Sequence, residues 1–174
     1  AEYYPGDPGI PISLLLHTIS LRPGEVLYLP AGNIHAYLGG LGIELMAASD
    51  NVLRGGLTPK HVDVPELLEV LDFRPAPAPY LQPEVIAPGV SVFRPDVPDF
   101  VLTVVTPDAA ERGADLAIPG GGPAIAFAAS GAVTLDGGAA SFTLSGGDAA
   151  YLSEEPTIRV TGHGNLFLAT TGAH

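Results

Sequence analysis

Glycine and proline interrupt this chain so often that little uninterrupted sequence lies between the breaks. Of 174 residues, 22 are Gly and 18 are Pro. The runs between them are apolar and in part β-branched. Short runs bounded by turn residues suit the strands of a small barrel or sandwich and leave no room for βαβ units. The pattern predicts strands at Ile12–Leu21, Val26–Leu29, Ile34–Leu38 and Ile43–Ala48. After residue 90 it predicts strands at Val90–Phe93, Phe100–Thr106, Ala124–Ala129, Ala132–Leu135, Ser141–Leu144, Ala149–Leu152, Thr157–Thr161 and Leu166–Thr170. One helix is expected at 63–72. Asp63 can cap it, Pro65 sits in its first turn, Glu66 completes a D-x-x-E capping box, and Leu67, Leu68 and Leu71 form its apolar stripe. Pro75, Pro77, Pro79, Pro83 and Pro88 then remove ladder donors through 74–89, which predicts an extended linker and an internal boundary.

The length suffices for a real core, and 47% hydrophobic against 15% charged residues marks a globular chain rather than a disordered one. The net charge of −12, with no basic run, argues against nucleic acid and anionic membrane surfaces as partners, because both need clustered Lys and Arg. Any anionic substrate is repelled at long range, so a phosphate site must rest on a few local bases. The absence of Cys excludes disulfides and thiolate chemistry and leaves the compartment open. No apolar run is long enough to span a membrane. The opening AEYYPGDPG lacks the basic and apolar regions of a signal peptide and reads as the middle of a longer chain.

An internal repeat organises the whole. At an offset of 123, Leu21, Gly24, Glu25, Tyr28 and Leu29 fall on Leu144, Gly147, Asp148, Tyr151 and Leu152, sharing the phrase L-x-x-G-[ED]-x-x-Y-L. A duplicated β unit explains this, with chance similarity among Gly-rich strands as the competing account. The same offset sets His35 on Ile158 and Tyr37 on Val160. Alternation with Thr157 and Arg159 turns Ile158 and Val160 inward, so the repeat turns His35 and Tyr37 inward too. A buried imidazole needs a partner or a metal.

The unusual side chains gather between Pro30 and Lys60. This stretch holds His35, Tyr37, Glu44, Asp50, Arg54, the only Met (Met46) and the only Lys (Lys60). Each has a plain structural alternative. Glu44 can be a buried carboxylate paired with Arg54, Asp50 can close a turn, Arg54 can brace Gly55-Gly56, Tyr37 can be barrel packing, and Lys60 can be an ordinary surface residue. His17, His61, His163 and His174 have no ligand spacing to His35.

Two motifs in this stretch carry a resemblance. L-x-P-G-E-x-x-x-L-P-A-G-x-x-H-A-Y runs from Leu21 to Tyr37. G-x-G-I-E-x-M-A-x-S-D-N-V-L-R-G-G-L-T-P-K-H-V-D-V-x-E-L runs from Gly40 to Leu67. Together they resemble the C-terminal portion of the type I mannose-6-phosphate isomerase (phosphomannose isomerase) family, zinc-dependent enzymes of the cupin superfamily. The likeness is dense over about residues 5 to 73 and diffuse beyond.

The resemblance implies an all-β fold of two cupin-like barrels or jelly rolls in tandem with one short helix between them. Residues 1–73 would be part of the catalytic barrel plus the helix, 74–89 the linker, and 90–174 a second, non-catalytic β domain. His35 matches a zinc ligand and Arg54 a catalytic arginine. Glu44 and Asp50 match acidic residues assigned to proton transfer or ring opening. Lys60 and Tyr37 match residues lining the sugar-phosphate pocket. The family's remaining zinc ligands lie in a Q-x-H-P-x-K motif and a further Glu, which this chain lacks, so a fragment inactive alone is expected. The implied enzyme is cytoplasmic, acts on a small sugar phosphate and does not touch nucleic acid or membrane; its oligomeric state is open. A non-catalytic sugar-phosphate-binding cupin module is the alternative. Another cupin enzyme is less well matched, because those gather two or three His on one barrel.

Overall fold

A computed structural model describes residues 2–49, 52–109, 113–117, 122–153 and 156–172. The chain separates into two compact units, one of Ala1–Ile43 with Ser49–Tyr80, the other of Glu44–Ala48 with Leu81–His174. It is mostly β, as its punctuation predicts. No helix among the described residues is long and apolar enough to cross a membrane.

The first unit holds α1 (Gly9–Ser13), β1 (Val26–Leu27) and α2 (Val64–Val70), and β2 (Tyr80–Leu81) begins at its end. The Tyr28 N–H donates to the Pro79 carbonyl at 3.0 Å. Helix α2 forms for the reasons its sequence supplies: the Glu66 N–H donates to Asp63 Oδ1 at 3.2 Å, and proline occupies its first turn.

Three expected strands do not form here. The Ile12–Leu21 run starts inside α1, because the Gly9 N–H donates to Asp7 Oδ1 at 2.7 Å and closes a turn that leads into the helix. Residues 34–38 and 43–48 carry no strand structure at all. A β-prone run becomes a strand only beside another backbone, and none of the described pairings reaches these segments.

The second unit is an antiparallel sheet built from β3 (Glu84–Ala87), β4 (Val90–Phe93), β5 (Val101–Val105), β6 (Ala114–Ala117), β7 (Ala124–Asp136), β8 (Ser141–Ser145), β9 (Ala149–Leu152) and β10 (Thr157–Thr170). Its spatial order is β3-β4-β5-β10-β7-β8, with β6 added to β10 and β9 added to β7. Strands β2 and β3 both lie within the proline-rich stretch, 74–89, expected to be extended linker. The path of the sheet is open from β3 to β8 and does not close into a barrel among the described residues.

Burial alternates along the long strands, and Leu135, Ile158, Val160, Leu166 and Leu168 are each at most 2% exposed. Ile158 and Val160 face inward, as alternation with Thr157 and Arg159 predicts. Arg159 points out and pairs with Asp115 of β6 at 3.0 Å. Strands β7 and β10 are each one element where two were expected. Glycines that read as turns in sequence are close approaches in space. Gly131 has φ +75, and a Cβ on it would run into the His163 carbonyl; a Cβ on Gly164 would run into that of Ser130.

The repeat survives in atomic detail at its turn. In the first copy the Arg22 N–H donates to Glu25 Oε2 at 2.8 Å and Gly24 has φ +88; in the second the Ser145 N–H donates to Asp148 Oδ2 at 2.9 Å and Gly147 has φ +99. Each turn delivers a strand, β1 in one unit and β9 in the other.

Leu166→Ala, at the centre of the β5–β10–β7 sheet, is expected to lower the stability of the second unit by about 2–5 kcal/mol, measured by urea unfolding; a loss under about 0.5 kcal/mol would contradict this placement of the core.

Candidate functional site

His35 is reached through a tight turn. The Asn33 N–H donates to the Pro30 carbonyl at 3.3 Å, and Gly32 between them has φ +81. The end of α2 holds this turn: the Asp72 N–H donates to the Gly32 carbonyl at 3.0 Å, and a Cβ on Gly32 would lie 2.7 Å from the Val70 carbonyl oxygen. The Asp72 side chain binds Arg74 at 2.6 Å, and these hydrogen bonds from Arg74 lower its pKa to about 2, so it stays charged at neutral pH.

The imidazole is oriented in turn. His35 Nδ1 lies 2.9 Å from the Asn33 carbonyl oxygen. A carbonyl only accepts, so Nδ1 carries the proton and Nε2 presents a lone pair. A carbonyl bonded to one ring nitrogen in this way fixes the tautomer and leaves the other nitrogen able to ligate a metal. The Tyr37 ring stands edge-on to it, with centroids 6.4 Å apart and planes at 77°. His35 and Tyr37 therefore share one side, as period-2 spacing predicts. They are not buried, however: His35 is exposed and Tyr37 is 73% exposed. The inward orientation expected from the repeat fails because no sheet forms around them.

Arg54 is half-buried and Lys60 exposed. Gly55, between Arg54 and Gly56, packs against Ile34, where a Cβ would lie 2.7 Å from Ile34 Cδ1. The loop following Arg54 thus rests on the residue preceding His35. Thr58 Oγ1 accepts from the Lys60 N–H at 3.2 Å, forming a local turn that sets the start of the lysine. Glu44 is exposed, which rules out the buried-carboxylate reading, and it lies in the 44–48 segment that clusters with the second unit. Asp50 lies outside the described residues. The sequence reading missed the parts played by Asn33 and Ile34. Their only signal was position, flanking or adjoining the histidine of P-A-G-x-x-H.

A catalytic zinc normally keeps three protein ligands. His35, with its free Nε2 lone pair, fits as one of them. Among the described residues no group of three or more His, Cys, Asp or Glu could hold a metal ion.

No protein-family profile matches the chain. It is 38% identical over 168 residues to the mannose-6-phosphate isomerase of Escherichia coli (strain K12), a match covering 95% of this chain and 42% of that protein. Among solved structures, the Salmonella typhimurium mannose 6-phosphate isomerase bound to its substrate fructose 6-phosphate and to zinc superposes with a TM-score of 0.85 at 35% identity, covering 98% of this chain and 43% of that one. Two alanine variants of the Salmonella phosphomannose isomerase, at a glutamate and at an arginine ten positions apart, match with TM-scores of 0.84 at 34% and 35% identity, covering 98% of this chain and 44% and 43% of theirs. This chain therefore spans less than half the length of these relatives.

The His35 geometry predicts a nitrogen NMR spectrum at pH 8 in which Nδ1 is protonated and Nε2 is not; the reverse tautomer, or a rapid average of both, would contradict the bond to Asn33.

Proposed function

We propose that this chain, homologous along almost its whole length to mannose-6-phosphate isomerases, is the C-terminal portion of such an enzyme. The enzyme interconverts mannose 6-phosphate and fructose 6-phosphate. The observation that carries this reading is the packing of the Arg54–Lys60 loop against the residue before an imidazole whose Nε2 lone pair is free. The alanine variants of the Salmonella enzyme add support, since their glutamate and arginine have the ten-residue spacing of Glu44 and Arg54.

In this reading residues 1–73 belong to a catalytic cupin barrel, 74–89 link it onward, and 90–174 form a second cupin-like domain without catalytic residues. The first barrel is completed by sequence that the relatives carry outside the matched region. The chemistry removes the proton at C2 of the open-chain aldose, passes through a cis-enediol and returns a proton to C1. The hydroxyl proton on O2 leaves as O1 gains one, so atoms and charge balance.

Each side chain takes one part. Glu44 or Asp50 moves the carbon-bound proton as a carboxylate base. The Arg54 guanidinium stabilises the negative charge that develops on the enediolate oxygens. Lys60 binds the phosphate as a local base in an otherwise acidic chain, and Tyr37 lines the sugar. His35 would supply one ligand, through Nε2, to a zinc ion. Zinc, when bound, polarises the substrate oxygens.

A second reading, a non-catalytic sugar-phosphate-binding cupin module, draws on the lack, among the described residues, of any group of three or more His, Cys, Asp or Glu that could hold a metal ion. Both readings are tested in the full-length enzyme. Arg54→Ala is expected to reduce turnover by about 10²–10³-fold with zinc retained, whereas His35→Ala loses zinc and turnover together. Near-normal turnover in Arg54→Ala would refute its role. Sugar-phosphate binding without zinc or turnover in the unmutated protein would favour the module.

A further inference from the structure

The loop that carries Arg54 and Lys60 has a second, tighter contact away from His35. Gly56 has φ +134 and Leu57 has φ +52, so two consecutive residues occupy the left-handed half of conformational space. For leucine this costs energy and persists only where its surroundings impose it. The surroundings are the turn at Asp7-Pro8-Gly9. A Cβ on Gly56 would lie 2.7 Å from Asp7 Oδ1 and 3.1 Å from Gly9 Cα. A Cβ on Gly9, which is buried, would lie 2.9 Å from Asp7 Oδ1 and 3.0 Å from Leu57 Cγ. Asp7 Oδ1 is itself fixed by accepting the Gly9 N–H at 2.7 Å. The loop is thus held on one side by Ile34 against Gly55 and on the other by Asp7 and Gly9 against Gly56 and Leu57.

We infer that Asp7 is a positioning residue: through the Asp7–Gly9 turn and its contact with Gly56 it sets where Arg54 stands. The inference rests on the isomerase reading given above and adds to it a residue far in sequence from the Pro30–Lys60 stretch. Asp7 does not touch substrate in this account. It acts through backbone packing, and a displacement of about 1 Å at a charged catalytic group can cost about 10²-fold in rate.

The test uses the full-length enzyme with fructose 6-phosphate as substrate and follows kcat, KM and zinc content in single and double variants. Gly56→Ala inserts a methyl group where Asp7 Oδ1 stands, at a φ that alanine tolerates poorly. Asp7→Ala only removes atoms and therefore keeps the question open to measurement should Gly56→Ala fail to fold. Each is expected to lower kcat by about 30-fold or more, with KM changed less than about threefold and zinc retained. Asp7→Asn, which keeps an oxygen acceptor for the Gly9 N–H, is expected to restore most of the turnover. In an Arg54→Ala background, Gly56→Ala and Asp7→Ala are expected to add almost nothing, because their effect passes through the arginine. Losses that multiply with that of Arg54→Ala would overturn the inference, as would a near-normal kcat in Asp7→Ala beside a damaged Arg54→Ala. Near-normal turnover in Arg54→Ala itself would overturn the isomerase role of the arginine, and this inference with it.

Discussion

A strand exists only where a second backbone meets its N–H and C=O groups, and this requirement separates the two copies of the repeat. In the second unit β10 extends for 14 residues because β5, β6 and β7 supply its ladders. At the offset of 123, residues 34–47 occupy the same place in the first copy. None of the described strand pairings includes them. Ile158 and Val160 are consequently sealed in a core, whereas their counterparts His35 and Tyr37 stand in the open. The same duplication yields a packed sheet in one unit and an exposed imidazole in the other, and the difference lies in the neighbouring backbone rather than in the strand-forming sequence itself.

What was legible in the sequence was whatever depends on near neighbours. The capping box of α2, the glycine turn before β1 and β9, and the inward alternation of Ile158 and Val160 all follow from residues a few positions apart. What was not legible depends on distant backbone. Gly131 and Gly164 read as turns but permit β7 and β10 to approach one another closely. Ile34–Leu38 reads as a strand but enters no strand pairing among the described residues. Asp7-Pro8-Gly9 reads as punctuation, although Asp7 Oδ1 lies against Gly56, the second glycine after Arg54. The residue types of the site were visible from the motif around His35 and Arg54. The bond that orients the imidazole, from Nδ1 to the Asn33 carbonyl, was not visible, because it depends on how the Gly32 turn is held by the end of α2.

The site is organised by backbone more than by side-chain pairing. The end of α2 fixes the turn before His35, a main-chain carbonyl sets its tautomer, and two glycines let the Arg54 loop approach both Ile34 and Asp7. Such an arrangement places an imidazole lone pair and a guanidinium in a strongly acidic chain, and no ion pair among the described residues occupies them. Among the described residues, no group of three or more His, Cys, Asp or Glu gathers that could hold a metal ion.

Residues 34–47 enter no strand pairing among the described residues, and under the proposed reading a full-length isomerase supplies the backbone that pairs with them. Hydrogen–deuterium exchange read at those amides, in this chain alone and in the full-length enzyme, tests it most directly. Rapid exchange of 34–47 in the chain alone, beside strong protection of 157–170, and strong protection of both segments in the full-length protein are expected. Equal protection of 34–47 in both proteins, or rapid exchange in both, would contradict it.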